Sequence, residues 1–88
     1  MLDFKNHHQS IFRLSFARAK FGVSRSTFYL QIAEGLITKP VQIGARVVGW
    51  PSNEIEAILN ARIAGKTPTE IKALVKELEK QRIQKAGV

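Results

Sequence analysis

The chain contains no cysteine. That excludes a disulfide framework, a cysteine nucleophile and any thiolate zinc site, and it fits a reducing compartment. Acids are also scarce: 7 Asp and Glu stand against 14 Lys and Arg, a formal charge of +7. No apolar run approaches the ~18–20 residues that a membrane helix needs. The opening Met1-Leu2-Asp3-Phe4-Lys5 has no stretch resembling a secretion signal. The only histidines, His7 and His8, are adjacent, and neighbours on a helix do not face the same way, so no metal site and no cofactor is expected. There is no nucleophile–base–acid set, no phosphate-cradling glycine loop and no evident carboxylate pair, which argues against an enzyme. What is present is 88 residues with 44% apolar content, enough for one small folded domain and too much for a disordered tail. The expectation is a basic, cytoplasmic single domain.

The placement of the charge says more than its sum. Residues 1–50 carry Lys5, Arg13, Arg18, Lys20, Arg25, Lys39 and Arg46 against only Asp3 and Glu34. Residues 51–88 carry seven more basic groups against five acids. A front half so poor in acids attracts a polyanion, and counterion release makes nucleic acid the favoured partner over a merely solvating charge.

Residues 1–10 are polar and aperiodic and read as a loose N-terminal arm. A first helix is expected from about Leu14 to Lys20, with Ser15 as its cap and Phe16, Ala19 and Ala17 as a small apolar face. Gly22 suits the position just past a helix end, and Val23 anchors the turn. Ser24 then reads as the cap of a second helix from Arg25 to about Glu34, with Phe28 and Ile32 four apart as its buried stripe and Gly35 closing it. Helix, short glycine turn, helix is the helix-turn-helix signature, whose second helix enters the major groove. The period then changes: Val41 and Ile43 alternate with Gln42, and Val47, Val48 and Trp50 return after a Gly44-Ala45-Arg46 tip, as in a β-hairpin. Pro51 opens a third helix, about Ser52 to Ala64, with Ile55, Ile58, Leu59 and Ile63 at helical spacing and Gly65 as its stop. Thr67-Pro68-Thr69-Glu70 is a capping box with proline at the first helical position. The fourth helix runs to about Lys85, with a narrow apolar face of Ile71, Leu74, Val75, Leu78 and Ile83 that suits docking on the domain or pairing with a second copy. The expected class is therefore mainly α with a small β-hairpin, a winged helix-turn-helix in the order helix, helix, hairpin, helix, helix. Its divisions are an arm at 1–10, the DNA-binding domain at 11–65 and a C-terminal helix at 66–88.

The second helix opens Arg25-Ser26-Thr27-Phe28-Tyr29, and a recognition helix presents its N-terminal residues to base edges. Arg25 can fork onto a guanine or pair with a phosphate. Ser26, Thr27 and Tyr29 offer hydroxyl groups off the Phe28 stripe; Thr27 equally reads as part of the cap, and Tyr29 as a half-buried core aromatic. Arg46 at the hairpin tip is placed for a minor groove or the adjacent backbone, and Lys39 at its base for a phosphate. Arg18 and Lys20 lie on the first helix, which crosses the backbone and positions rather than specifies. Trp50, the only tryptophan, reads as a core plug rather than a platform for a single-stranded base.

Together these residues resemble the AlpA family of phage and genomic-island regulators, which carry a winged helix-turn-helix related to the MerR DNA-binding domain. The likeness lies in Gly22-Val23-Ser24-Arg25-Ser26-Thr27-Phe28-Tyr29 with Ile32-Ala33-Glu34-Gly35. It continues through Lys39-Pro40-Val41-Gln42-Ile43-Gly44 and Arg46-Val47-Val48-Gly49-Trp50 to a helix opening near Glu54-Ile55, covering residues 14–64. The resemblance implies a transcriptional regulator of a mobile element, or an excisionase that bends DNA and directs an integrase. It implies Arg25, Ser26, Thr27 and Tyr29 in the major groove and Arg46 in the wing. Its implied partners are double-stranded DNA, an integrase or RNA polymerase, and further copies of the chain as a homodimer or an array on DNA. Two positions depart from the family pattern. Leu30 stands where a basic residue is common, so that a phosphate contact is lost or the leucine meets a thymine methyl group or a partner. Ile58 stands where a tryptophan is common. The helix from Thr67 onward lies beyond the resemblance, and the alternative reading is a protein-interaction adaptor that uses this helix.

Overall fold

The computed structural model describes residues 10–86, with side chains to Ile83. Of the arm expected at residues 1–10, residues 1–9 with the His7-His8 pair lie outside the described residues, and Ser10 is tied to Ser52 by backbone and hydroxyl hydrogen bonds. Strand β1 (Ile11–Phe12) leads into helices α1 (Leu14–Phe21) and α2 (Arg25–Ala33). Strands β2 (Val41–Gln42) and β3 (Val48–Pro51) follow, then helices α3 (Ser52–Ile63) and α4 (Pro68–Ala86). The architecture is four helices with a three-stranded antiparallel sheet in the order β1-β3-β2, a winged helix-turn-helix.

The helix boundaries follow from local chemistry. Gly22 takes φ 67°, a left-handed conformation that costs other residues a Cβ clash, and its N–H and that of Val23 close α1 onto Ala19 and Arg18 carbonyls. The Ser24 hydroxyl accepts from the Thr27 N–H at 3.2 Å, the expected cap of α2. The Thr67–Glu70 capping box forms in both directions, Thr67 N–H to Glu70 at 2.9 Å and Glu70 N–H to Thr67 at 3.2 Å. The Thr67 N–H holds the Glu70 carboxyl below its usual range.

Two differences concern the first helix. Arg13, not Ser15, is the cap of α1, and it caps through its backbone alone. The buried residue of α1 is Ala17, fully enclosed, whereas Phe16 is 53% exposed and Ala19 is exposed. The cause is β1, a strand too short to show any alternation in the sequence. It pairs with β3 through Ile11↔Pro51 and Phe12↔Trp50. The Ser10 N–H bonds the Ser52 hydroxyl at 2.8 Å, and the Ser52 N–H returns to the Ser10 carbonyl at 2.7 Å. Phe12 therefore joins the core margin beside α1, and Phe16 rests edge-on against its ring at 4.7 Å.

Ala17, Phe28, Ile37, Trp50 and Ile55 form one core cluster beneath the sheet and the first two helices. The Trp50 ring is fully buried, stands edge-on to Phe28 at 5.1 Å and donates its Nε1–H to the Thr38 carbonyl at 2.9 Å. It is a core plug, as expected. Ile58, Ile71, Val75 and Leu78 form a second cluster between α3 and α4, with Phe21 at the margin of both. Helix α4 is thus docked on the domain. Beyond the apolar stripe, Arg82 forks onto Glu54, at 2.7 Å through Nε and 2.6 Å through Nη2, and also reaches the Lys39 carbonyl. Glu79 accepts the Lys39 N–H at 2.9 Å. The outer ends of the two long stripes, Ile63 and Ile83, are each 75% exposed rather than buried.

Candidate nucleic-acid interface

Helix α2 is fixed from below and open above. Phe28, fully buried, and Ile32, half-buried, face the core. At 100° per residue the side opposite Phe28 and Ile32 falls to Ser26, Leu30 and Ala33, with Tyr29 on its flank. Arg25 shares the direction of Phe28 and Ile32 but is the first residue of the helix. Arg25, Ser26, Tyr29, Leu30 and Ala33 are all exposed. The leading end of the helix is therefore open to solvent, and its first-turn N–H groups carry no neighbouring acid.

The individual side chains fall into distinct environments. Arg25 is exposed, lies 6.0 Å from the Tyr29 ring centroid and forms no ion pair among the described residues. Ser26 is exposed. Thr27 is half-buried and its hydroxyl accepts from Ser24 at 3.1 Å, so it belongs to the cap. Tyr29 combines both environments expected for it: its ring stands edge-on to Trp50 at 6.4 Å, yet it is 38% exposed. A surface aromatic braced by the core and overlaid by a guanidinium is a stiff platform.

The hairpin loop is ordered from within. The Gln42 side-chain amide donates to the Gly44 carbonyl at 2.9 Å and the Ala45 carbonyl at 3.1 Å, and the Ile43 N–H bonds Val47. Arg46 at the tip is exposed and unpaired among the described residues. The β2–β3 register, Val41↔Gly49 and Gln42↔Val48, ties the wing to the strand that carries Trp50, and through Trp50 to Phe28 and Tyr29 of α2. A Cβ on Gly49 would collide with the Ile11 side chain and sit 3.1 Å from the Phe12 carbonyl, so glycine is what lets β1 close over β3.

The other basic residues do not converge on Arg25. Arg18 is half-buried and donates to the Val23 carbonyl at 3.2 Å, bracing the turn between the two helices. The Lys20 ammonium lies 5.3 Å from the Phe16 ring centroid and 5.7 Å from that of Phe12, on the β1–α1 side. Lys39 sits at the far end of α2, in a groove of about 380 Å³ lined by Ile32, Glu34, Lys72, Lys76 and Glu79 among others. The nine residues of α2 separate it from Arg25 by about 12 Å of helix. Leu30, singled out in the sequence as a departure from the family pattern, is 56% exposed and joins neither core cluster.

These features define a winged helix-turn-helix protein with an accessible second helix. The chain belongs to the AlpA family: the model of the prophage CP4-57 regulatory protein (AlpA) matches residues 10–63. That stretch runs from the residue before β1 to the end of α3 and leaves α4 outside. No curated protein and no solved structure matches the chain. It is therefore a prophage regulatory protein by family.

Proposed function

We propose that the protein binds double-stranded DNA by sequence and thereby regulates a mobile element, as a transcriptional regulator, an excisionase or both. Its mechanism is equilibrium binding rather than catalysis. Helix α2 enters the major groove, Arg25, Ser26 and Tyr29 reach base edges or phosphates, Thr27 holds the helix start, and Arg46 of the wing meets the flanking groove or backbone. Arg18 and Lys20 hold the approach of the first helix to the backbone, and Lys39 meets a phosphate at the far end of α2. Bound DNA places the protein beside an integrase or RNA polymerase in the cytoplasm, and further copies can bind as a pair or an array.

The observation that carries this reading is the exposed, acid-free leading end of α2 with Arg25 unpaired among the described residues. An adaptor that worked through the C-terminal helix would present its apolar stripe, and Ile71, Val75 and Leu78 are instead packed against α3. A mobility-shift series over the DNA flanking the encoding gene tests the proposal. A DNA reader gives a specific shift whose log affinity falls linearly with log salt, with a slope of about −0.9 per phosphate contacted. An absence of any specific shift at low salt refutes it. A footprint at a promoter assigns the regulatory role, and one inside an attachment region assigns the excisionase role.

A further inference from the structure

On the outer face of α2, Ser26, Leu30 and Ala33 stand at positions i, i+4 and i+7, a single stripe along the helix, and all three are exposed. Tyr29 runs beside this stripe, Arg25 stands at the first residue of the helix, and no lysine lies on the helix. Leu30 is 56% exposed and joins neither core cluster. The centre of the outward surface is therefore small and largely apolar, and the one long cation of the helix, Arg25, stands at its first residue. A phosphate-holding surface would have the reverse composition. In the major groove, the base-edge group that rewards an apolar side chain is the 5-methyl of thymine.

We infer that Leu30 is a specificity-determining residue that packs on a thymine methyl group, with Ala33 flanking it one turn on. This rests on the DNA reading above and deepens it. Arg25, at the helix start, then supplies the polar half of the readout and Leu30, five residues further along the helix, the apolar half. The lost phosphate contact at this position becomes a gain in discrimination, because phosphate contacts hold any sequence whereas a methyl contact distinguishes thymine from cytosine and uracil.

The test uses the full chain and the duplex that it enriches from a random-sequence library. Each thymine of that duplex is replaced in turn by deoxyuridine, which keeps base pairing and removes the methyl group alone. For the unaltered protein, at least one replacement weakens binding by about fourfold, the value of one buried methyl-sized group. Leu30→Ala binds the thymine and uracil duplexes at that position equally, and Leu30→Met, which restores an apolar reach, recovers the difference. A merely structural role for Leu30 would lower affinity for every duplex and leave the uracil ratio unchanged in Leu30→Ala; that result overturns the inference, as does an unaltered protein indifferent to uracil at every position. Failure to enrich any sequence would instead overturn the DNA reading itself, and this inference with it. Circular-dichroism melts of both variants check that the fold is intact, as expected for a side chain more than half exposed.

Discussion

Arg25 is held where it can act by groups that are themselves committed elsewhere. The Ser24–Thr27 cap fixes the helix start, Phe28 anchors it below, and Tyr29 supports the guanidinium from the side. Removing the guanidinium therefore removes a contact and not a fold. Arg25→Ala is expected to weaken binding to the preferred duplex by about 1–3 kcal/mol if the fork reads a guanine, and by a similar factor on all sequences if it holds a phosphate. Titration of matched and unmatched duplexes separates these outcomes, and unchanged affinity for both would take Arg25 off the surface. A different residue reports on pH. Glu70 has its carboxyl lowered by the Thr67 N–H and, more weakly, by Lys66. A lowered folded-state pKa stabilises above the unfolded value and is lost as pH falls through the folded one. The start of α4 should thus loosen only in acid below the ordinary glutamate range. Thr67 amide exchange measured against pH checks this, and protection that persists unchanged in strong acid would contradict it.

At the scale of elements, the most instructive pair is α4 and the strand β1. The capping box at Thr67 and the Ile71, Val75, Leu78 spacing made α4 plain in the sequence, because backbone caps and helical periodicity are local signals. The same is true of Gly22, Ser24 and Gly35 around α2 and of the Gly44–Arg46 tip. Strand β1 was not legible, since two residues cannot display a period and their pairing partner lies about forty positions away. Missing it misplaced the buried face of α1: with Phe12 supplying the aromatic at the core margin, Ala17 fits beneath and Phe16 is left outside. The candidate site divides in the same way. The helix start could be read from its cap, whereas the diversion of Arg18 to Val23 and of Lys39 to the far end of α2 depends on tertiary placement.

The element that the family match leaves out is docked by an ion pair as well as by its apolar stripe. Glu54 is buried at 3% exposure, and Arg82 supplies its charge partner from α4. A buried carboxylate left alone is costly, while a matched apolar replacement of both partners is not. Arg82→Met should destabilise the fold by roughly 3 kcal/mol, towards the low end for such pairs because Arg82 is itself partly exposed. The double variant Glu54→Leu with Arg82→Met should regain most of that loss. Urea unfolding of the two variants decides it, and a neutral single substitution would show that the pair adds nothing to the docking of α4.

For the molecule as a whole, the two core clusters set how far the matched region can stand alone. Residues 10–63 contain the first cluster complete, with Phe28 and Trp50 at its centre. They contain only Ile58 of the four buried members of the second, whose other three are on α4. A chain of this size has a net stability of about 5–10 kcal/mol, and each fully buried aliphatic side chain contributes about 1.5–3 kcal/mol. Ending the chain after Gly65 removes Ile71, Val75 and Leu78, uncovers Ile58 and half-buried Phe21, and leaves Glu54 without Arg82. The summed loss is of the order of the whole stability. The shortened chain is thus expected to lose its cooperative thermal transition and to expose apolar surface to a dye such as ANS. Its α2 keeps every residue of the proposed interface, so DNA added in excess should restore part of the order by mass action. A shortened chain that melts as sharply and as high as the full one would show that α4 is an attachment to the fold rather than half of its second core.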